Sequence, residues 1–306
     1  MSEGRRAVLA ARLSTRSFPS PLPITPYPSL VTILDAILDD TRRLVAERQT
    51  VTPAAALMRR PAFHAPTLSL ARALRRPDGP AVIAECKRAS PSEGTIRQEY
   101  RPAEIARSYK QAAAAAVSVL TEPAHFGGSL DHLGEVRHAV DIPVLRKDFV
   151  VDEYQLVEAR AYGADAVLLI VAALDRARLA DLLGAAHDLG LGVLVEVHAE
   201  PEMKGLDLSR VDVLGVNSRD LKTFEVDLGR AERIFADLPP RIVRVAESGI
   251  RTAQDAARLR RAGADAFLVG THFMSQPDPG RALAALRRET ALALASAPVE
   301  AVNTEA

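Results

Sequence analysis

From residue 81 onward, the chain alternates short β-branched runs with amphipathic segments. The runs predict eight strands, at 81–86, 116–120, 143–145, 166–171, 192–197, 211–216, 242–245 and 266–269. The segments between them have apolar residues at helical intervals, at 102–112, 153–162, 176–189, 228–235, 253–262 and 281–292. Strands that alternate with helices pair in parallel through right-handed crossovers. Eight such units predict an α/β protein with a closed (β/α)8 barrel, the TIM barrel.

The alternative fold is an open, doubly wound sheet. That fold is expected to carry a glycine-rich nucleotide fingerprint after its first strand, whereas this chain has CKRASP at 86–91. Gly-Ala-Asp triplets at 163–165 and 263–265 support the barrel, because each ends a helix and enters a strand. An additional N-terminal helix is predicted at 33–49.

The two ends of the chain differ from the barrel region. Residues 1–28 contain four Arg, five Pro and one acidic residue. We predict a disordered extension there, with an arginine-rich transit peptide as the alternative. Residues 29–295 are predicted to form a single barrel domain with its extra helix, and residues 296–306 a flexible tail.

Composition limits the partners that we expect. The 39 Lys and Arg balance 39 Asp and Glu, so no overall field recruits nucleic acid or an anionic membrane. No apolar run approaches the roughly 18 residues needed to cross a bilayer. Cys86 is the only cysteine, which is typical of a reducing compartment and leads us to expect a cytoplasmic protein. We predict a monomer or weak homo-oligomer that acts on a small phosphorylated molecule.

Polar side chains lie at the C-terminal ends of the predicted strands. In a barrel, active groups project from those ends, and alternate strand residues point inward. Glu85 and Lys87 share the inward face of the first strand, so Cys86 faces the helices as a small core residue. Later strands end in Lys147, Glu196, Asn217 with Arg219, and Glu247 with Ser248. One such residue is commonly a solvated or paired group, but several on one rim predict function, because buried charge is costly unless it is paired or used.

Glycines follow the last two strands, in ESGI at 247–250 and VGT at 269–271. The loops after strands seven and eight are the usual phosphate site of this barrel, because glycines let backbone N–H groups approach an anion. The glycines alone fit simple turns equally well. The seven histidines show no metal-ligand spacing, so we predict no metal site and interpret them as surface, loop or core residues.

Four motifs resemble those of one known family. They are VIAECKRASPS at 82–92, VLRKDF at 144–149, GVNSRDL at 215–221 and VAESGI at 245–250. They resemble the first, third, sixth and seventh strand signatures of the indole-3-glycerol-phosphate synthases, and the similarity runs from about residue 33 to 292. The resemblance implies a lyase of tryptophan biosynthesis that converts 1-(2-carboxyphenylamino)-1-deoxyribulose 5-phosphate to indole-3-glycerol phosphate, CO2 and water. It implies no metal or organic cofactor.

The resemblance also implies roles for individual residues. Lys147 is expected to be the general acid for ring closure, and Lys87 to position the substrate and take part in proton transfer. Glu196 is expected to act as acid and base in dehydration, assisted by Glu85 and Asn217. Substrate binding is implied for Arg219, Ser248 and Glu247, of which Glu247 also holds the lysines in register. Phosphate binding is implied for Ser90, Gly249, Gly270 and Thr271, and a wall around the aromatic ring for Phe126, Phe149, Leu168 and Leu221.

Three positions depart from the commonest family pattern. Glu93 stands where many relatives have Lys, Thr271 where Ser or Glu is frequent, and 111–115 lacks the usual glycine. No acid or base position is missing. The alternatives are a related isomerase barrel, which would need a Cys/Asp pair, a non-catalytic phosphoanion-binding paralogue, and a paralogue in a specialised indole pathway.

Overall fold

A computed structural model gives the fold and describes residues 32–76, 79–220 and 223–296. The predicted extension at 1–28, the tail beyond residue 296 and Leu221 lie outside the described residues. No helix among the described residues is both long and apolar enough to span a membrane.

Eight parallel strands form a closed barrel, which confirms the predicted (β/α)8 fold. Each strand pairs with the next, and the first also pairs with the last, so the barrel has no open edge. The strands are β1 (Ala81–Cys86), β2 (Ala116–Leu120), β3 (Val144–Lys147), β4 (Ala166–Ile170), β5 (Gly192–Val197), β6 (Val213–Asn217), β7 (Val243–Glu247) and β8 (Ala266–Val269).

Three strands extend further toward their C-terminal ends than the apolar pattern predicts. β3 continues through Arg146 to Lys147, β6 reaches Asn217, and β7 reaches Glu247. The backbone ladder continues past the last apolar residue, since Lys147 pairs with Leu120 and Glu247 with Asn217. Polar side chains therefore belong to the strands themselves, which holds their Cα atoms in the barrel register.

Helices surround the barrel. They are α1 (Ile33–Val51), α2 (Ala54–Leu57), α3 (Pro61–His64), α4 (Leu70–Leu74), α5 (Pro102–Gln111), α6 (Pro123–Phe126), α7 (Leu130–Ala139), α8 (Glu153–Ala161), α9 (Arg176–Asp188), α10 (Leu228–Ala236), α11 (Ala253–Arg261), α12 (Thr271–Met274) and α13 (Pro279–Ala295). The extra N-terminal helix is confirmed as α1. It begins with a capping box, in which Thr32 and Asp35 satisfy each other's backbone N–H groups.

Alternate strand residues divide the core into two layers. On β1, Ile83 packs inside the barrel, whereas Val82, Ala84 and Cys86 pack against the helices. The predicted orientation of Cys86 is confirmed, and burial raises the pKa of its thiol. Leu70 of α4 packs with the inner layer and lies near the first residue of β5, so α4 closes the N-terminal end of the barrel. The opposite end stays open.

Candidate active site

A cavity of about 380 Å³ lies at the C-terminal ends of the strands. The structure places every predicted site residue that it describes in the lining of this cavity. These residues are Glu85, Lys87, Ser90, Phe126, Lys147, Phe149, Leu168, Glu196, Asn217, Arg219, Glu247, Ser248, Gly249, Gly270 and Thr271. Their individual roles remain predictions. The strand residues among them share one cavity because their side chains point inward at the same end of the barrel.

Lys147 and Glu196 form the central ion pair of the cavity. The Lys147 Nζ lies 3.3 Å from the Glu196 Oε2, and the Glu196 side chain is only 2% exposed. The second oxygen of Glu196 accepts a long hydrogen bond of 3.4 Å from the Asn217 amide. The Nε2 of His198 lies 3.1 Å from that same oxygen. Three different strands, β3, β5 and β6, therefore supply the groups around one carboxylate.

A second ion pair joins Lys87 to Glu85, with 3.0 Å between the Nζ and the Oε2. The Glu85 carboxylate packs against the backbone of Gly270, which follows β8 directly. Lys87 follows β1 and remains partly open to the cavity. The two lysines thus enter the cavity from different strands, and each has a carboxylate partner of its own.

Glu247 is a third carboxyl group, 1% exposed, beside Glu196. Its Oε1 makes no hydrogen bond within the described part of the chain, and neither does the Glu196 Oε2. Burial raises the pKa of Glu247 well above its usual value, and the negative charge of Glu196 raises it further, whereas Lys147 opposes the rise. Burial and the repulsion between the two carboxyl groups therefore favour a neutral Glu247 beside an ionised Glu196.

The charges of Lys147 and Glu196 stabilise each other. Burial disfavours the ammonium ion of Lys147, but the negative charge of Glu196, the largest opposing contribution, raises its pKa. Burial likewise disfavours the Glu196 carboxylate, but Lys147 and His198 outweigh burial and lower its pKa. At neutral pH the site therefore contains a protonated lysine, able to act as an acid, beside an ionised glutamate, able to act as a base.

The loops after β7 and β8 form one end of the cavity. Ser248 and Gly249 both have left-handed backbone conformations, with φ angles of 63° and 78°. A serine in this region is strained and persists only where its surroundings hold it. Successive residues with unusual backbone angles are typical of loops whose N–H groups bind anions. Ser90 lies on the loop after β1, where its hydroxyl accepts a hydrogen bond from the backbone N–H of Glu93.

Arg97 connects the loop after β1 to the loop after β8. Its guanidinium donates hydrogen bonds to the carbonyl oxygens of Met274, Gln276 and Pro277. The segment that carries Ser90 and the segment that carries Thr271 are therefore tied together at the rim.

Apolar side chains form the opposite wall. The rings of Phe126 and Phe149 lie 6.1 Å apart, and Leu168 lines the same cavity. The helix α1 contributes Ile33, Leu34 and Ile37, which the sequence did not identify as site residues. A hydrogen bond of 2.9 Å between the Asp40 carboxylate of α1 and the His125 ring of α6 holds the helix beside Phe126.

A buried network supports Lys147 from the outer side of β3. Arg146 points away from the cavity and is fully buried. Its guanidinium donates to Asp148 at 2.8 Å and to Glu158 of α8 at 3.1 Å. It also donates to the backbone carbonyl oxygen of Gln155. These bonds fix Arg146 and Asp148, the residues on either side of Lys147. They therefore limit the positions that the Lys147 backbone can take.

Comparison with known proteins identifies the family. Residues 34–286 match a family model described as indole-3-glycerol phosphate synthase. The chain belongs to this family. The indole-3-glycerol phosphate synthase of Salinibacter ruber is 52% identical over 261 residues, which cover 85% of this chain and 96% of that protein. The one of Mycobacteroides abscessus is 48% identical over 255 residues, covering 83% and 93%.

A solved structure supports the barrel independently. Thiamine phosphate pyrophosphorylase from Pyrococcus furiosus superposes with a TM-score of 0.54 at 18% sequence identity. The match covers 74% of this chain and 100% of that chain. At this identity the likeness shows the fold alone, whereas the family rests on the sequence relatives.

Sequence reasoning missed several residues of this indole-3-glycerol phosphate synthase family site. His198 was interpreted only as a surface, loop or core residue, yet it contacts Glu196. Phe224, Arg251 and His272 also line the cavity. His198 carried a usable signal, because it continues the inward alternation of β5 two residues after Glu196. Phe224 and Arg251 lie on loops and His272 lies on the short helix α12, where no periodicity indicates direction.

The structure locates two of the positions that depart from the family pattern. Glu93, one of the positions that depart from the expected family pattern, lines the cavity rim. In the segment that lacks the usual glycine, Ala113 adopts a left-handed φ of 62°. The corresponding turn glycines, Gly163 and Gly263, have φ angles of 84° and 99°, as their predicted cap role requires.

Proposed function

We propose that this protein catalyses the indole-3-glycerol-phosphate synthase reaction in tryptophan biosynthesis. The substrate is 1-(2-carboxyphenylamino)-1-deoxyribulose 5-phosphate, and the products are indole-3-glycerol phosphate, CO2 and water. The observation that carries the proposal is the Lys147–Glu196 pair, an acid and a base 3.3 Å apart, in one cavity with Lys87. The reaction needs both kinds of group at one bound substrate.

Ring closure needs an acid. The aromatic carbon that bears the carboxylate attacks the sugar ketone, and the new C–C bond pushes an electron pair onto the ketone oxygen. Lys147 donates a proton to that oxygen, which becomes a hydroxyl group. The surrounding carboxylates raise the pKa of Lys147, so the ammonium form is available at neutral pH. Loss of CO2 then returns the bonding pair to the ring and restores its aromaticity.

Dehydration needs a base and a second acid. The C–OH bond breaks, and a proton leaves the adjacent CH2 carbon, which forms the C=C bond of the indole. Glu196 accepts this proton, because its lowered pKa keeps it ionised. Lys87, paired with Glu85, donates a proton to the departing hydroxyl group, which leaves as water. Asn217 orients the Glu196 carboxylate.

The two ends of the cavity match the two ends of the substrate. The phosphate binds at the rim formed by Ser90, Gly249, Gly270 and Thr271. Arg219 and Ser248 bind the sugar and carboxylate portions, and Glu247 holds the lysines in register. The aromatic ring lies against Phe126, Phe149 and Leu168, with Ile33, Leu34 and Ile37 of α1 covering it.

The reaction proposed here uses only groups of this chain and a small phosphorylated substrate. We propose a cytoplasmic enzyme, a monomer or weak homo-oligomer, that works without nucleic acid, metal or organic cofactor. A cytoplasmic setting agrees with a biosynthetic role and with the single buried cysteine.

Turnover by the purified full chain tests the proposal. In the presence of EDTA, we expect the substrate to give indole fluorescence and an equimolar amount of CO2. The dephosphorylated substrate is the matched control, and it should react with a much higher KM because the phosphate contacts are lost. Absence of product over a wide range of substrate concentration would overturn the proposal. Complementation of a tryptophan auxotroph tests the pathway.

A further inference from the structure

His198 is a buried histidine that the proposed mechanism does not use. It follows β5 directly, and its side chain is 8% exposed. Its backbone N–H donates a hydrogen bond of 2.9 Å to the Glu202 carboxylate, which anchors the chain at the point where the strand ends. Because Glu196 and His198 are two residues apart, both side chains point to the same face of the strand.

Glu196 is the carboxylate nearest to the His198 ring, whose nitrogen atoms otherwise have no polar partner among the described residues. Neither of its nitrogen atoms makes a hydrogen bond within the part of the chain that the structure describes. Burying such polar atoms without partners costs free energy, so a native site that does so calls for an explanation. The Nε2 lies 3.1 Å from the Glu196 Oε1, and the ring is not aligned there as a hydrogen bond. Attraction between an N–H group or an imidazolium ion and a carboxylate does not require ideal alignment.

We propose that His198 is a positioning residue that holds Oε1 of Glu196, so that Oε2 faces Lys147 and the substrate. The kinetic consequence rests on the proposed function, while the contact itself does not. Three other groups face Glu196 from neighbouring strands: Lys147 on β3, Asn217 on β6 and Glu247 on β7. Of these, Asn217 contacts the same oxygen, at 3.4 Å. A single hydrogen bond of this length restrains the Glu196 carboxylate less than Asn217 and His198 do together.

Three substitutions at His198 separate positioning from packing. His198→Leu retains bulk and removes the donor, His198→Gln places an amide N–H near the position of Nε2, and His198→Asn carries the same amide on a shorter chain. We expect His198→Leu to lower kcat by about 10-fold or more with KM within about twofold, because small misplacements of a catalytic group are costly. His198→Gln should recover most of the loss, and His198→Asn should not.

His132 offers a matched control. It is a partly buried histidine that also has an unsatisfied ring nitrogen, but it packs against Tyr100 away from the cavity. His132→Leu should leave kcat unchanged. An equal loss of kcat in all three His198 variants, an effect on KM alone, or wild-type kinetics in His198→Leu would each overturn the inference.

A measurement without substrate tests the contact separately. In protein labelled with 15N-histidine, the Nε2 resonance of His198, assigned from its absence in His198→Asn, should move when Glu196→Gln removes the negative charge. An unchanged resonance overturns the inference. If the wild type fails to convert the substrate, the proposed function is wrong, and this resonance still decides whether His198 contacts Glu196.

Discussion

Gly215 and Glu247 lie so close that a Cβ atom on the glycine would stand 2.0 Å from Oε1 of the glutamate. Gly270 has the same relation to Glu85, where a Cβ would stand 2.0 Å from Oε2. Each glycine lies on or at the end of a strand beside a carboxyl group of the cavity. The absence of a side chain at these two positions creates the space in which the buried carboxyl groups lie.

Filling that space should impair catalysis more than folding. Gly215→Ala and Gly270→Ala should each lower kcat by at least about 10-fold, because the added Cβ displaces a carboxyl group of the cavity, Glu247 or Glu85 respectively. Overpacking should cost about 1–3 kcal/mol of unfolding free energy. Steady-state kinetics and urea unfolding measure the two effects. Gly134→Ala, on α7, is the control. An added Cβ there meets only one neighbouring atom, at 3.9 Å, so activity should persist. Normal kcat in both site variants would contradict this account of the glycines.

Removing the ammonium group of Lys147 should affect both acid and base. Lys147→Ala should lower kcat by about 10²-fold or more, because positioned proton transfer typically contributes that much. It also removes the cation that lowers the pKa of Glu196, so that pKa should rise. Kinetics and 13C NMR of the glutamate carboxyl groups measure the two changes. Lys110→Ala, which removes the partner of the exposed Asp141, should retain full activity. Unchanged kcat in Lys147→Ala would exclude Lys147 as the acid.

Stability should depend on pH through Glu247. Since burial and Glu196 raise the pKa of Glu247 above its usual 4.5, the folded protein holds this proton more tightly than the unfolded chain. The resulting stabilisation is complete below pH 4.5 and decreases as the pH rises toward the raised pKa. Glu247→Gln, which resembles the protonated form, lacks this decrease. The variant should therefore gain stability relative to the wild type above pH 4.5, by up to about 1.4 kcal/mol per pH unit.

Urea unfolding of both proteins from pH 5 to 8 measures this difference. A difference that widens with pH supports a neutral Glu247 in the folded state. Two parallel curves would show that Glu247 ionises in the folded protein as it does in the unfolded chain, and the inference of a neutral Glu247 would be wrong.

A glycine in the turn before β2 should stabilise the folded protein. Ala113 has a φ of 62°, which costs an L-residue about 1–2 kcal/mol. Ala113→Gly should raise the unfolding free energy by about 1 kcal/mol after the entropy cost of glycine is subtracted. Gly163→Ala, at the equivalent turn, should do the opposite, because its φ is 84° and a Cβ would stand 2.6 Å from the Arg137 side chain. Thermal unfolding compares both with the wild type. Destabilisation by Ala113→Gly would refute this interpretation.

The fold could be predicted because its signals are local. Apolar periodicity identified all eight strands, and the cap glycines Gly163 and Gly263 marked the turns into two of them. The prediction was wrong at the ends of β3, β6 and β7, because Arg146, Lys147, Asn217 and Glu247 look like loop residues in sequence. Backbone pairing continues there because neighbouring strands supply partners whatever the side chain is.

The site could be predicted only in part. Strand alternation and the family motifs identified Glu85, Lys87, Lys147 and Glu196 as residues of one mouth, and the structure places them together. The apolar cover from α1 was missed, because the spacing of Ile33 and Ile37 indicates an apolar face and not what that face covers. The contact of His198 with Glu196 was missed for a different reason: a histidine beside a strand end is compatible with many environments.

By itself, the sequence determined the barrel and which residues its strands direct inward, since both follow from periods of two and of about 3.6 along the chain. Only the tertiary structure decided how the inward charges pair and which carboxyl group keeps its proton. Glu196 and Glu247 are the same residue type on strand ends of the same kind, yet the pKa of one falls and that of the other rises. The physical reason is that burial and Coulomb interactions depend on distances between atoms that folding brings together, such as Lys147 Nζ and Glu196 Oε2 at 3.3 Å.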